Sequence, residues 1–195
     1  MAAGTHYDLN PEYKPQEFYR VESGVRKSGP WKLDTTNLSA GAVLPVFTPV
    51  QADVETRTFV PVRNVRVAEA YADGTELKIE KSPLVYVGMF LGNGKNGAQV
   101  AAVDTSNKNY DLITLSAAFG AALAEGTVLF EATAAGGTKK KNTANFVTFD
   151  EKKVDLGGTF ITLLMQAYEI KESKLPVPIH ELDKEGLTSR FQFDY

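Results

Sequence analysis

The chain has 195 residues, 43% hydrophobic, 23% charged and 10% aromatic, with 21 basic and 24 acidic side chains for a net charge of -3. This suits one sizeable folded core or two smaller ones, and no apolar run approaches the about 18 to 20 residues of a membrane-spanning helix. The mild acidity offers no broad attraction for nucleic-acid phosphates. The chain has no cysteine and only two histidines, His6 and His180, which argues against disulfide frameworks, a cysteine nucleophile, a zinc centre or a Ser-His-Asp triad.

Residues 1–31 differ from the rest of the chain. Pro11, Pro15 and Pro30 interrupt regular structure, aliphatic residues are few, and Tyr7, Tyr13, Phe18, Tyr19 and Trp31 supply aromatic surface. Such a segment cannot close a core of its own. It reads as an extended N-terminal arm whose five aromatics are candidate partner-binding anchors, because each buries much area for few frozen torsions. The alternative is that they pack back on their own domain. The first residues lack the basic start and apolar middle of a secretion signal.

Residues 32–195 read as a β-rich domain. Ala42 to Val50, broken by Pro45 and Pro49, predicts a sheet edge or two very short strands. Thr56 to Val67 is rich in β-branched residues. An Asp73-Gly74 turn precedes a strand over Glu76 to Lys81, Leu84 to Leu91 is a buried-strand candidate, and Ala98 to Val103 is another strand. Ser116 to Ala124 predicts a modest helix, with Ser116 as N-cap and Gly126 past its end. Gly126 to Ala132 returns to strand, and its Gly-x-Val-Leu core repeats that of Gly41 to Leu44. Asn145 to Phe149 and Gly158 to Ile170 read as strands, His180 to Thr188 as a short helix, and Arg190 to Tyr195 as a last strand needing a neighbour. Many short strands at turn-marked spacing imply a compact antiparallel β barrel or sandwich with one or two short helices.

Each chemical motif has a plainer reading. Gly92-Asn-Gly-Lys-Asn-Gly97 matches a dinucleotide fingerprint, yet no helix opens at its third glycine, so it reads as a hairpin loop. Lys139-Lys-Lys141 reads as a solvated loop, and Asn37-Leu-Ser39 as a chance acceptor sequence for glycosylation. Nothing selects Asp150 and Glu151, or Asp183 and Glu185, as an acid and base pair. His180 reads as opening the short helix after it. No catalytic, cofactor-binding or metal-binding residue is assigned.

Several blocks resemble the head-decoration (cement) and head-fibre proteins of tailed bacteriophages. They are Leu38 to Val50 with its continuation to Val67, and Phe119 to Ala132. The closing blocks are Thr159 to Ile170, Lys174 to Ile179, a charged helix with Leu182, Lys184 and Leu187, and the final aromatic strand. The resemblance covers residues 38–195 and implies a noncatalytic virion protein, made in the host cytoplasm. It would bind the major capsid protein on the outer capsid surface, commonly as a trimer, and stabilise the shell or anchor a head fibre. A second reading, a carbohydrate-binding β module, rests on Tyr71, Tyr86 and Tyr110 as exposed stacking platforms.

Overall fold

In the computed structural model, the structure describes residues 18–194. The short strands β1 (Val25–Arg26), β2 (Trp31–Leu33) and β3 (Val43–Leu44) come first, then β4 (Pro49–Asp53), β5 (Thr58–Pro61) and β6 (Asn64–Arg66). Next are β7 (Glu76–Glu80), β8 (Phe90–Gly92), β9 (Gly97–Asp104), β10 (Tyr110–Leu115) and β11 (Val128–Ala132). The C-terminal part holds β12 (Phe146–Thr148), β13 (Lys152–Lys153), β14 (Phe160–Ile161), β15 (Leu163–Lys171), the helix α1 (Glu181–Leu187) and β16 (Phe191–Asp194). The protein is mainly β and sandwich-like, not a closed barrel.

One sheet runs β1-β15-β12-β4-β5-β2-β14, with β16 added to β15. A second runs β6-β11-β8-β9-β10-β7, and β3 and β13 form a separate ribbon. The second sheet curls until a single bridge, Val67 to Ile79, joins its outer strands. Leu77, Ile79, Leu91, Val100, Ile113 and Leu129 fill the space inside. Period-two patterning explains this: β7 and β10 alternate buried and less buried positions along their whole length.

The first sheet has an apolar cluster on each face. Phe146 and Leu163 pack with Trp31, Val50 and Phe59 on one side. Their neighbours Val147 and Leu164 pack with Phe47, Ile170 and Phe191 on the other. Strand β12 is therefore buried at every position. At the opposite end, β2, β4 and β5 bury one face only, and Lys32, Gln51 and Asp53 point outward.

Two sequence expectations change. Leu84 to Leu91 is not one strand, since only Phe90–Gly92 pairs. Its apolar character comes from crossing between cores, with Leu84 in one and Met89 and Leu91 in another. Ser116 to Ala124 is not helical. Gly120 has φ +85°, Phe119 and Leu123 turn into the core, and Tyr71 and Leu123 exchange backbone hydrogen bonds at 2.8 and 2.9 Å. Tertiary burial of two large side chains outweighs the weak helix preference of the intervening alanines. The predicted helix near the C-terminus forms as α1, with His180 as its N-cap.

The Gly-x-Gly-x-x-Gly segment is the β8-β9 hairpin, in which Gly92 faces Gly97. Its glycines meet a third, Gly137, at backbone distance: a Cβ on Gly92 would lie 2.5 Å from Gly137, and one on Gly97 2.6 Å from it. The motif serves close chain crossing, as glycine does wherever two backbones touch. The Gly-x-Val-Leu echo also has a structural counterpart. Ala42 N donates to Ser39 O and Thr127 N to Ala124 O, both at 3.1 Å, so the same turn feeds β3 and β11.

Candidate docking surface

The expected boundary after residue 31 falls inside β2, because Trp31 already pairs with Ile161. Upstream, residues 18–27 run antiparallel to β15. Lys171 N donates to Phe18 O at 2.9 Å, Arg20 N to Tyr168 O at 3.0 Å, and Lys27 N to Leu163 O at 2.8 Å. The last strand reaches the same place, where Asp194 of β16 pairs with Lys171.

Of the five aromatics expected to anchor a partner, Tyr7 and Tyr13 lie outside the described residues. Tyr19 is buried against Phe47 at a ring separation of 5.2 Å, and Phe18 packs beside the same cluster, half-buried. Trp31 is 1% exposed and sits 6.1 Å from the Phe146 ring. Tyr19 and Trp31 are core residues here, because a large ring next to a sheet gains more from its own core than from water.

None of the three tyrosines expected as exposed sugar platforms is exposed. Tyr71 is buried, edge-on to Phe119, and its hydroxyl donates to Gly74 O. Tyr86 carries Arg63 over its ring at 5.2 Å, and Tyr110 carries Lys78 at 5.0 Å. No open aromatic platform results from these three.

The surface that does form lies at the β14 end of the first sheet. Outward-facing Lys32, Gln51, Asp53, Thr58 and Val60 floor a groove of about 680 Å³, walled by Leu156, Gly157 and Gly158. Cross-strand pairing fixes the floor, with Asp53 opposite Thr58 and Gln51 opposite Val60. Beside it runs the two-residue β14, which pairs with β2 and continues through Thr162 into β15; among the described residues no other strand pairs with it. Leu156 is 55% exposed and Phe160 54%. Asp34 at the rim is held below the usual carboxylate range by its hydrogen bonds from Thr36, so the groove keeps negative charge near neutral pH. A short strand whose second side pairs with no other described strand, next to exposed apolar side chains, is suited to strand addition by a partner.

Away from this surface, two buried charge clusters hold the interior, and the sequence offered little sign of either. The lysine run expected to be solvated instead supplies Lys140 and Lys141 to them. Lys141 Nζ and the Tyr86 hydroxyl donate to Glu131 Oε1 at 2.8 and 2.6 Å, and Arg63 donates to Oε2 at 3.2 Å. Burial alone raises the Glu131 pKa, but Lys141, Tyr86 and Arg63 outweigh it and hold the carboxyl below its ordinary range. Lys140 Nζ donates to Asp183 Oδ2, and to Asn64 Oδ1 at 2.7 Å. The run Lys-Lys-Lys carries no periodic signal of which lysine turns inward; the Ala132 to Lys140 bridge decides it. Among the described residues, no group of three or more His, Cys, Asp or Glu side chains is placed to hold a metal ion.

The sequence model of one family, described as head fiber protein, matches residues 3–190. This chain belongs to the phage head fiber protein family. The match takes in nearly the whole β body together with most of the N-terminal segment, including Tyr7 and Tyr13. The head fiber protein is thus a virion structural protein of a bacteriophage, and its groove and sheet edge are features of a head-associated molecule. No curated protein and no solved structure matches the chain.

Proposed function

We propose that this head fiber protein is noncatalytic and attaches to the outer surface of the assembled capsid by binding the major capsid protein, as a trimer. The observation that carries the reading is the outer side of β14, unpaired among the described residues, together with exposed Leu156 and Phe160 beside an open groove. Covering the exposed half of Phe160 contributes on the order of 1 kcal/mol. A surface of this kind works by contact area and strand pairing, and many copies per particle multiply a modest affinity. The N-terminal segment with Tyr7 and Tyr13 is the second contact, consistent with its inclusion in the family match.

Co-sedimentation with purified capsids tests this. The full chain is expected to pellet with capsids, Phe160→Asp to bind more weakly, and a chain starting at residue 18 to lose the arm's share. Undiminished binding by both variants removes this surface and the arm from the contact. Mass measurement in solution checks the trimer.

A further inference from the structure

The Lys140 cluster has a composition that an ordinary buried ion pair does not need. Lys140 is 4% exposed at its side chain and Asp183 0%, and Asn64 is fully buried between them. Asp183 Oδ2 accepts from Lys140 Nζ and also from Asn64 Nδ2, the latter at 2.8 Å. The second Nδ2 hydrogen goes to Pro178 O at 2.9 Å, which fixes the amide so that Oδ1 faces Nζ at 2.7 Å. One carboxylate therefore touches both a lysine nitrogen and the amide nitrogen of the carboxamide that this lysine contacts. The Phe130 ring lies beneath, 5.6 Å from Nζ, and is itself covered edge-on by His180.

We propose that Lys140 and Asn64 join through an intramolecular amide bond, formed by the chain itself with Asp183 as the catalytic acid and base. Asn64 Cγ lies one carbonyl bond, about 1.2 Å, beyond Oδ1, so a small change in the Lys140 side-chain torsions that moves Nζ off Oδ1 and onto the face of the carbonyl brings it to attack distance. Asp183 takes a proton from the ammonium, and the freed amine attacks Cγ as the carbonyl pair moves onto Oδ1. Asp183 hands that proton to Nδ2 and takes a second from Nζ. The oxygen pair returns, the Cγ–Nδ2 bond breaks, and the nitrogen leaves as ammonium with the second proton. Nζ has lost two protons, Nδ2 has gained two, and Asp183 ends as a carboxylate. No oxidant or external reagent enters.

The surroundings favour the step. Burial holds the Lys140 ammonium below the ordinary lysine range despite the opposing charge of Asp183, so the nucleophilic free amine is easier to reach. Fixing the two groups in contact removes the entropic part of the barrier to amide exchange, and Asp183 assists the nitrogen that must leave. Lys141 offers a contrast. Its partner Glu131 is a carboxylate that Arg63 also neutralises, and among the described residues no carboxamide hydrogen-bonds to either the Lys141 ammonium or Glu131. The cross-link would tie β6 to the segment before β12 across 76 positions, in a chain with no cysteine and hence no disulfide.

Mass spectrometry of the purified full chain decides this. The cross-linked protein is lighter by one ammonia, about 17 Da, and digestion yields a branched peptide joining Lys140 to Asn64, with trypsin unable to cut after Lys140. A succinimide at Asn93 or Asn96 loses the same ammonia, so the branched peptide is the criterion. Lys140→Arg and Asn64→Ala are expected at full mass, and Asp183→Asn to slow or abolish the bond while Lys140 and Asn64 remain. Recovery of linear peptides alone from the folded wild-type chain, before and after prolonged incubation, overturns the proposal, and so does undiminished cross-linking in Asp183→Asn.

Discussion

The Arg63 guanidinium lies 3.2 Å from the Glu131 carboxylate, both side chains nearly closed to solvent, and its other arm donates to Thr36 O at 2.7 Å. Strand β11, the residue before β6 and the turn after β2 are thereby held at one point. Removing one member strands the rest of the buried charge. Arg63→Ala should cost about 3 to 5 kcal/mol, read as a shift in denaturant midpoint. A loss below about 1 kcal/mol would place the pair in the class of solvent-screened contacts.

Gly137→Ala tests the chain crossing. Gly137 has φ +62°, and a Cβ there would lie 2.1 Å from Asn96 O. Strain of the left-handed backbone and a backbone clash act together, and the expected loss exceeds about 2 kcal/mol. Gly136→Ala, where a Cβ meets nothing within 4 Å, should leave the melting temperature nearly unchanged.

His180 gives the stability curve a pH dependence. Burial first, then the charge of Lys140, hold its imidazolium below the ordinary histidine range, against Asp183 and Glu181. The unfolded chain therefore takes up the proton first. Stability is complete above the unfolded pKa of about 6.5 and falls as pH drops through it toward the lower folded value. His180→Asn keeps an acceptor for the Leu182 amide and removes the titration. Compared with wild type, thermal melts of the variant should decline less between about pH 7 and pH 5.

Trp31 and Phe160 separate core from surface on adjoining strands. Trp31→Ala empties a buried site and should cost about 3 to 5 kcal/mol. Phe160→Ala removes a half-exposed ring and is expected to change stability by under about 1 kcal/mol, with its effect appearing in capsid co-sedimentation. A large stability loss for Phe160→Ala would assign that ring to folding.

Strands with clean alternation, such as β7 over Glu76–Glu80, were readable because each residue meets one environment per face. The helix α1 was readable from its charged and apolar spacing, and the hairpin at Asn93-Gly94 from its turn residues. Leu84 to Leu91 misled because residues serving two different cores look like one buried strand. Trp31 and Tyr19 misled for a related reason: prolines and few aliphatics nearby suggest an arm, yet a single ring can join a core built by distant strands. The Lys140, Asn64 and Asp183 cluster was invisible, since its members are brought together only by tertiary pairing across 119 positions. The groove likewise depends on which sheet face stays uncovered, a property of the packed whole.

Phe18 and Asp194 both lie against Lys171. In a chain shortened to residues 18–194, the two ends would thus start from a single spot. A short linker could tie the ends of that shortened chain, giving a circular permutant opened at the exposed Lys95 turn.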